Sequence, residues 1–161
     1  MKTASSVPSF VPIFNRMVAG LLSLGFPMGS MTLLTVPGRK SGQPRTTPVA
    51  LLERDGRRWL SSPYGEVNWV RNLRAAGRGM VGRGRKRNAV EAVELSPEAA
   101  APVLQDALTQ LEAAPMVGRL LLPYYAVGSG ASHDKLVAEA RRHPTFELRD
   151  WPPETSIPPL R

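Results

Sequence analysis

From Gly38 to Pro48 the chain reads Gly-Arg-Lys-Ser-Gly-Gln-Pro-Arg-Thr-Thr-Pro. Three cations, Arg39, Lys40 and Arg45, are interleaved with the hydrogen-bonding side chains of Ser41, Gln43, Thr46 and Thr47. Guanidinium groups fork onto two oxygens of a phosphate or carboxylate, and an ammonium adds a point charge. The two glycines let backbone N–H groups turn toward a ligand without a Cβ in the way. Such a segment suits a phosphate-bearing ligand. The plain alternative is a solvated basic turn, and the density of donors favours the anion site. The spacing is neither that of a P-loop nor that of a dinucleotide-binding glycine motif.

The rest of the composition narrows the chemistry. The chain of 161 residues has no cysteine and only two histidines, so thiolate chemistry and disulfides are excluded and a metal centre is not expected. The formal net charge is +8 and the sequence pI is about 10.8, a balance that attracts phosphates, carboxylates or anionic surfaces. Arg83, Arg85, Lys86 and Arg87 form a second basic cluster. No aromatic residue stands among them to stack on bases, so nucleic acid is not the expected partner.

These residues need a scaffold, and the pattern around them predicts one. Met31–Val36 and Arg45–Glu53 read as strands flanking the turn-rich stretch Pro37–Pro44. Asp55-Gly56 is a hairpin signal leading into a return strand at Arg57–Ser62. Asn68–Ala75 has helical spacing and ends at Gly77, a C-cap candidate. Met80–Val81 and Ala89–Leu95 read as a further hairpin with its tip at Arg83–Asn88. Ser96-Pro97-Glu98 opens a helix with an N-cap, a proline in the first turn and an acid at the positive end. Helices are also expected at Met116–Tyr125 and His133–Arg142, and Thr145–Leu148 alternates as a closing strand.

The sum is an α+β fold, a small, mostly antiparallel sheet closed into a barrel with flanking helices. An apolar stretch over residues 8–22, broken by Asn15 and Arg16 and ended by Pro27, is too short for the roughly 20 residues of a membrane span. It reads as a helix packed on the core or lying on a membrane surface. The expected division is an N-terminal helical segment at 1–30, the barrel at 31–150 and a proline-rich, extended tail at 151–161.

The run Leu33–Pro48, the Asp55-Gly56 turn and Trp69-Val70-Arg71-Asn72-Leu73-Arg74, in that order, resemble the deazaflavin-dependent nitroreductase family. Its members are split β-barrel oxidoreductases that use coenzyme F420. The resemblance covers about Met31–Leu95, and His143–Leu148 is similar to the family's last strand. It implies that Arg39, Lys40, Ser41, Arg45, Thr46 and Thr47 grip the phosphate and carboxylate tail of the cofactor. It places Pro48, Val49 and Ala50 beneath the ribityl and ring portion. Ser61, Ser62, Pro63 and Tyr64 would lie against the ring, with Asn68, Trp69, Val70, Arg71 and Asn72 on its other side. Taken from the residues alone, Trp69 is as readily a core aromatic, and Asn72 a cap of its own helix.

Tyr125, with Tyr124 as the competing choice, is implied as the group that orients the acceptor or donates a proton. The expected activity is hydride transfer from reduced F420 to a quinone, an enone or a nitro compound. FMN is the alternative cofactor, and a non-enzymatic deazaflavin carrier the alternative role. Pro63 and Tyr64 depart from relatives, which carry a longer Gly-rich loop and polar or basic residues there. A cytoplasmic location, with peripheral membrane contact through the N-terminal helix, completes the expectation. Dimerisation is left open.

Overall fold

The computed structural model describes residues 11–25 and 29–151. Pro8, the break at Pro27 and the prolines at 152, 153, 158 and 159 lie outside the described residues. Six strands form one closed barrel in the order β1-β2-β3-β6-β5-β4, with every neighbouring pair antiparallel. The strands are β1 (Met31–Pro37), β2 (Pro44–Arg54), β3 (Arg57–Ser61), β4 (Arg78–Arg83), β5 (Lys86–Glu94) and β6 (Thr145–Asp150). The helices are α1 (Val11–Ser23), α2 (Asn68–Ala76), α3 (Pro97–Glu112), α4 (Pro115–Leu121) and α5 (His133–Ala140).

Closure follows from the side-chain pattern. Leu34, Val36, Leu60, Val81, Val90, Phe146 and Leu148 fill the interior, and α2 plugs it with Val70 and Leu73. Strand β1 does not alternate, because its outer face is also covered: Leu33 packs against Val18 and Leu22 of α1. A second apolar cluster joins α3 to α5 through Ala100, Ala101, Leu104, Leu108, Leu136 and Ala140.

Local signals work as their chemistry requires. Asp55 and Gly56 both take positive φ (53° and 73°), the conformation a two-residue hairpin turn demands. Gly77 ends α2 at φ 66° and donates its N–H to the Leu73 carbonyl. Ser96 caps α3 by accepting from the Ala99 N–H at 3.2 Å.

Several expected boundaries move. The β4–β5 tip is only Gly84-Arg85, because Arg83 and Lys86 already pair across the hairpin. The stretch expected as one helix to Tyr125 breaks into α4 and a 3₁₀ turn at Leu122–Tyr124, where Pro123 lacks the N–H a continued helix needs. The helix expected to reach Arg142 stops at Ala140. Trp151, assigned to the tail from sequence, still donates its N–H to the Ala89 carbonyl at 3.0 Å.

Candidate functional site

The turn after β1 is built tightly. The Gly38 N–H donates to the Gln43 carbonyl at 2.8 Å, and the Gly42 N–H to the Gly38 carbonyl at 2.8 Å. Gly42 holds φ at 70°. A Cβ on Gly38 would sit 3.1 Å from Ser41 Oγ and 3.3 Å from the Gln43 carbonyl oxygen, so glycine keeps the turn closed.

This turn forms one wall of a cleft of about 640 Å³, and the start of α2 forms the other. Arg39 spans the two walls. Its backbone N–H and its Nη1 both donate to Asn72 Oδ1, at 3.2 and 2.9 Å, and its Nη1 and Nη2 lie 3.5 Å from Asn68 Oδ1. Asn72 is buried. It therefore neither caps its own helix nor stands free, but orients the arginine that faces it. On β2, Thr46 Oγ1 lies 2.9 Å from Thr35 Oγ1, and Arg87 donates to Thr35 Oγ1 at 2.8 Å.

Part of the chain's positive charge is already paired. Arg54, Arg57, Arg58, Arg74, Arg142 and Arg149 each pair with a carboxylate. Among the described residues, Arg39, Lys40 and Arg45 have no such partner. Their positive potential is uncompensated and points to an anionic ligand.

The cleft gathers Arg39, Lys40, Ser41, Arg45, Thr46, Thr47, Asn68, Trp69 and Asn72. Trp69 lines the cleft with one part while packing on the barrel core, its ring 6.2 Å from Phe146. Other expected residues are not brought there. Val49 and Val70 point into the barrel core, because closure turns those strand and helix positions inward. Gln43, Pro48, Ala50 and Arg71 lie outside the cleft lining. Val36, Gly38 and Pro44 line it in addition.

Ser61, Ser62, Pro63 and Tyr64 belong to a second cluster. Ser62 is fully buried, its hydroxyl donating to the Gly65 carbonyl at 2.7 Å. The Tyr64 and Tyr124 rings meet edge to face at 4.8 Å. Tyr125 lies against the imidazole of His143, centroids 4.4 Å apart. Burial pushes the Tyr125 hydroxyl well above the usual tyrosine range, with the Glu139 carboxylate adding to the shift. Burial, then Tyr124, raises Tyr64 as well. Both hydroxyls thus remain donors at neutral pH.

Glu139 and His143 were not singled out from sequence, although their four-residue spacing at the end of a helix was available as a signal. The second basic cluster is partly spent on the scaffold: Arg83 donates to the carbonyls of Met31 and Gly29, and Arg87 to that of Gly84.

The F420H(2)-dependent quinone reductase family model matches residues 10–115, most of the chain and all of the cleft. The chain belongs to that family. As a member of the F420H(2)-dependent quinone reductases it is an oxidoreductase, and its cofactor is coenzyme F420. The donor set of the cleft fits that cofactor, whose tail is a phosphodiester followed by carboxylates. A solved structure described as an F420-H2 dependent reductase is similar over 74% of this chain and 94% of its own, at 24% identity and a TM-score of 0.50. Another, described as a domain-swapped dimer, is similar over 83% of this chain and 92% of its own, at 22% identity and a TM-score of 0.50. At these identities the likeness is one of fold, the split barrel. No curated protein matches. No helix among the described residues is long and apolar enough to cross a membrane.

Proposed function

We propose that the protein transfers a hydride from reduced F420 to a small electron-poor acceptor, a quinone first among them, and that the cleft holds the cofactor's tail. The observation that carries this reading is the set of three uncompensated cations and three hydroxyls around one cleft, with Arg39 already oriented by Asn72. When bound, the deazaflavin supplies the hydride. Arg39 and Arg45 fork onto phosphate or carboxylate oxygens, Lys40 adds charge, and Ser41, Thr46 and Thr47 fill the remaining acceptor positions. Trp69 offers an apolar face among the lining residues of the cleft. A tyrosine hydroxyl, from Tyr125, Tyr124 or Tyr64, donates to the acceptor oxygen and helps it take up the proton that reduction requires.

The direct test is titration of the purified protein with oxidised F420 at low salt, followed by turnover of F420H2 with a benzoquinone, an enone and a nitroarene. Absence of binding at low micromolar concentrations would sink the reading. Turnover of the nitroarene alone would move the acceptor class.

Peripheral contact with an anionic membrane is part of the same proposal. Ile13, Met17, Leu21 and Leu24 are exposed at helical spacing along α1 and beyond its end. The neighbouring hairpin tip, whose Gly84 N–H bonds the Leu22 carbonyl at 2.8 Å, carries exposed Arg85 and Lys86. Co-sedimentation with anionic but not neutral vesicles is the expected result, and equal recovery from both would remove this part. Dimerisation is supported by the domain-swapped neighbour, and sedimentation velocity decides it.

A further inference from the structure

The Glu139–His143 pair is buried outside the cleft and has no role in the reading above. Its hydrogen bonds reach three segments. His143 Nδ1 lies 3.0 Å from the Ser62 carbonyl oxygen, and His143 Nε2 lies 3.0 Å from Glu139 Oε1. The same Glu139 oxygen accepts from the Ala126 backbone N–H at 2.8 Å, and Arg142 donates to Oε2 at 3.3 Å. The turn that begins at Ser62 is pressed against the end of α5: a Cβ on Gly65 would sit 3.2 Å from the Arg142 carbonyl oxygen.

The chain has three tyrosines, and these bonds hold the segments that carry two of them. Tyr125 immediately precedes Ala126 and packs on the His143 ring. Tyr64 lies two residues beyond the Ser62 carbonyl, inside the turn closed by Ser62 Oγ, and touches Tyr124. Tyr124 belongs to the 3₁₀ turn after α4 and reaches the pair only through its contact with Tyr64.

A carbonyl oxygen and a carboxylate both accept, so the imidazole bridges acceptors that belong to two different segments. A buried hydrogen bond lost at either ring nitrogen leaves its partner unsatisfied.

We propose that His143, held by Glu139, is a positioning residue for Tyr64 and Tyr125, and through Tyr64 for Tyr124, and that the hydrogen bonds of the pair keep the Ser62–Gly65 turn and the Tyr125–Ala126 segment in register. Its kinetic consequence rests on the hydride-transfer reading, with the tyrosines on the acceptor side.

The test compares wild type with His143→Phe, which keeps a ring under Tyr125 but has no hydrogen-bonding nitrogen, and with His143→Gln, which keeps a donor. Turnover of F420H2 with a benzoquinone is measured at neutral pH, beside the F420 dissociation constant. For His143→Phe, kcat/KM for the quinone falls on the order of 10- to 100-fold while F420 affinity holds, as expected for misplacement of acceptor-side groups alone. His143→Gln recovers part of that loss. Unchanged kinetics in His143→Phe, no recovery in His143→Gln, or an equal fall in F420 affinity would each overturn the proposal.

If His143→Phe does not fold, Glu139→Gln, which keeps an acceptor for Ala126, takes its place. If wild type reduces no acceptor, the hydride-transfer reading falls, and NMR decides the pair separately. Backbone amide signals of Tyr64, Gly65 and Ala126 then all shift in His143→Phe and return toward their wild-type positions in His143→Gln. Shifts at one segment only, or the same shifts in both variants, overturn it.

Discussion

Arg39 and Asn72 are 33 positions apart in the chain, and their contact makes a basic turn into an organised site. A guanidinium already held by a buried amide loses less freedom when an anion arrives. Arg39→Ala should weaken F420 binding by roughly 10- to 100-fold, the range of a lost charge-assisted hydrogen bond. Asn72→Leu leaves the charge but not its orientation and should cost less, about 3- to 10-fold on the same scale. Fluorescence titration measures both. Tyr125 makes a prediction about pH. Its folded value is raised above the unfolded one, so the unfolded chain loses this proton first. Stability is complete below about pH 10 and declines as pH rises beyond it. Tyr125→Phe should flatten that alkaline decline in chemical denaturation. The cations and hydroxyls of Gly38–Pro48 were legible in the sequence because they are contiguous. The partnership with Asn72 was not, since no local pattern says which of two helix faces an amide occupies.

At the scale of elements, backbone conformation was the readable part. Asp55-Gly56, Gly77 and the Ser96 cap act within a few residues, so their chemistry is written in the sequence beside them. Contacts between elements were not readable in that way. Gly118 of α4 looks ordinary in sequence, yet a Cβ there would sit 2.1 Å from the Leu111 carbonyl oxygen of α3. Gly118→Ala should therefore force α4 away and destabilise the protein by about 1–3 kcal/mol, the usual cost of overpacking. Thermal denaturation tests this, and because α4 leads into the 3₁₀ turn carrying Tyr124, acceptor kinetics should suffer as well. By contrast Gly77, with nothing within 4 Å of its added Cβ, should cost only the strain of left-handed backbone, about 1–2 kcal/mol.

Over the whole molecule, a net charge of +8 and a cleft with three uncompensated cations act together on an anionic cofactor. Raising salt should weaken F420 binding steeply, because screening shortens the reach of those charges to a few ångströms near 1 M. A deazaflavin riboside without phosphate should show little salt dependence in the same titration, and equal dependence for both would remove the tail from the cleft. The sequence by itself determined the α+β class, the strand and helix order and the basic cleft loop, since periodicity, turn residues and contiguous charge are local properties. Tertiary structure decided what closure alone can decide. Joining β3 to β6 and β1 to β4 turned Val49 and Val70 inward, brought α2 against the Arg39 turn, and set His143 against Tyr125. Each of those contacts joins residues far apart in the chain, or chooses between two faces of one element, and only the packed core fixes which face is inside.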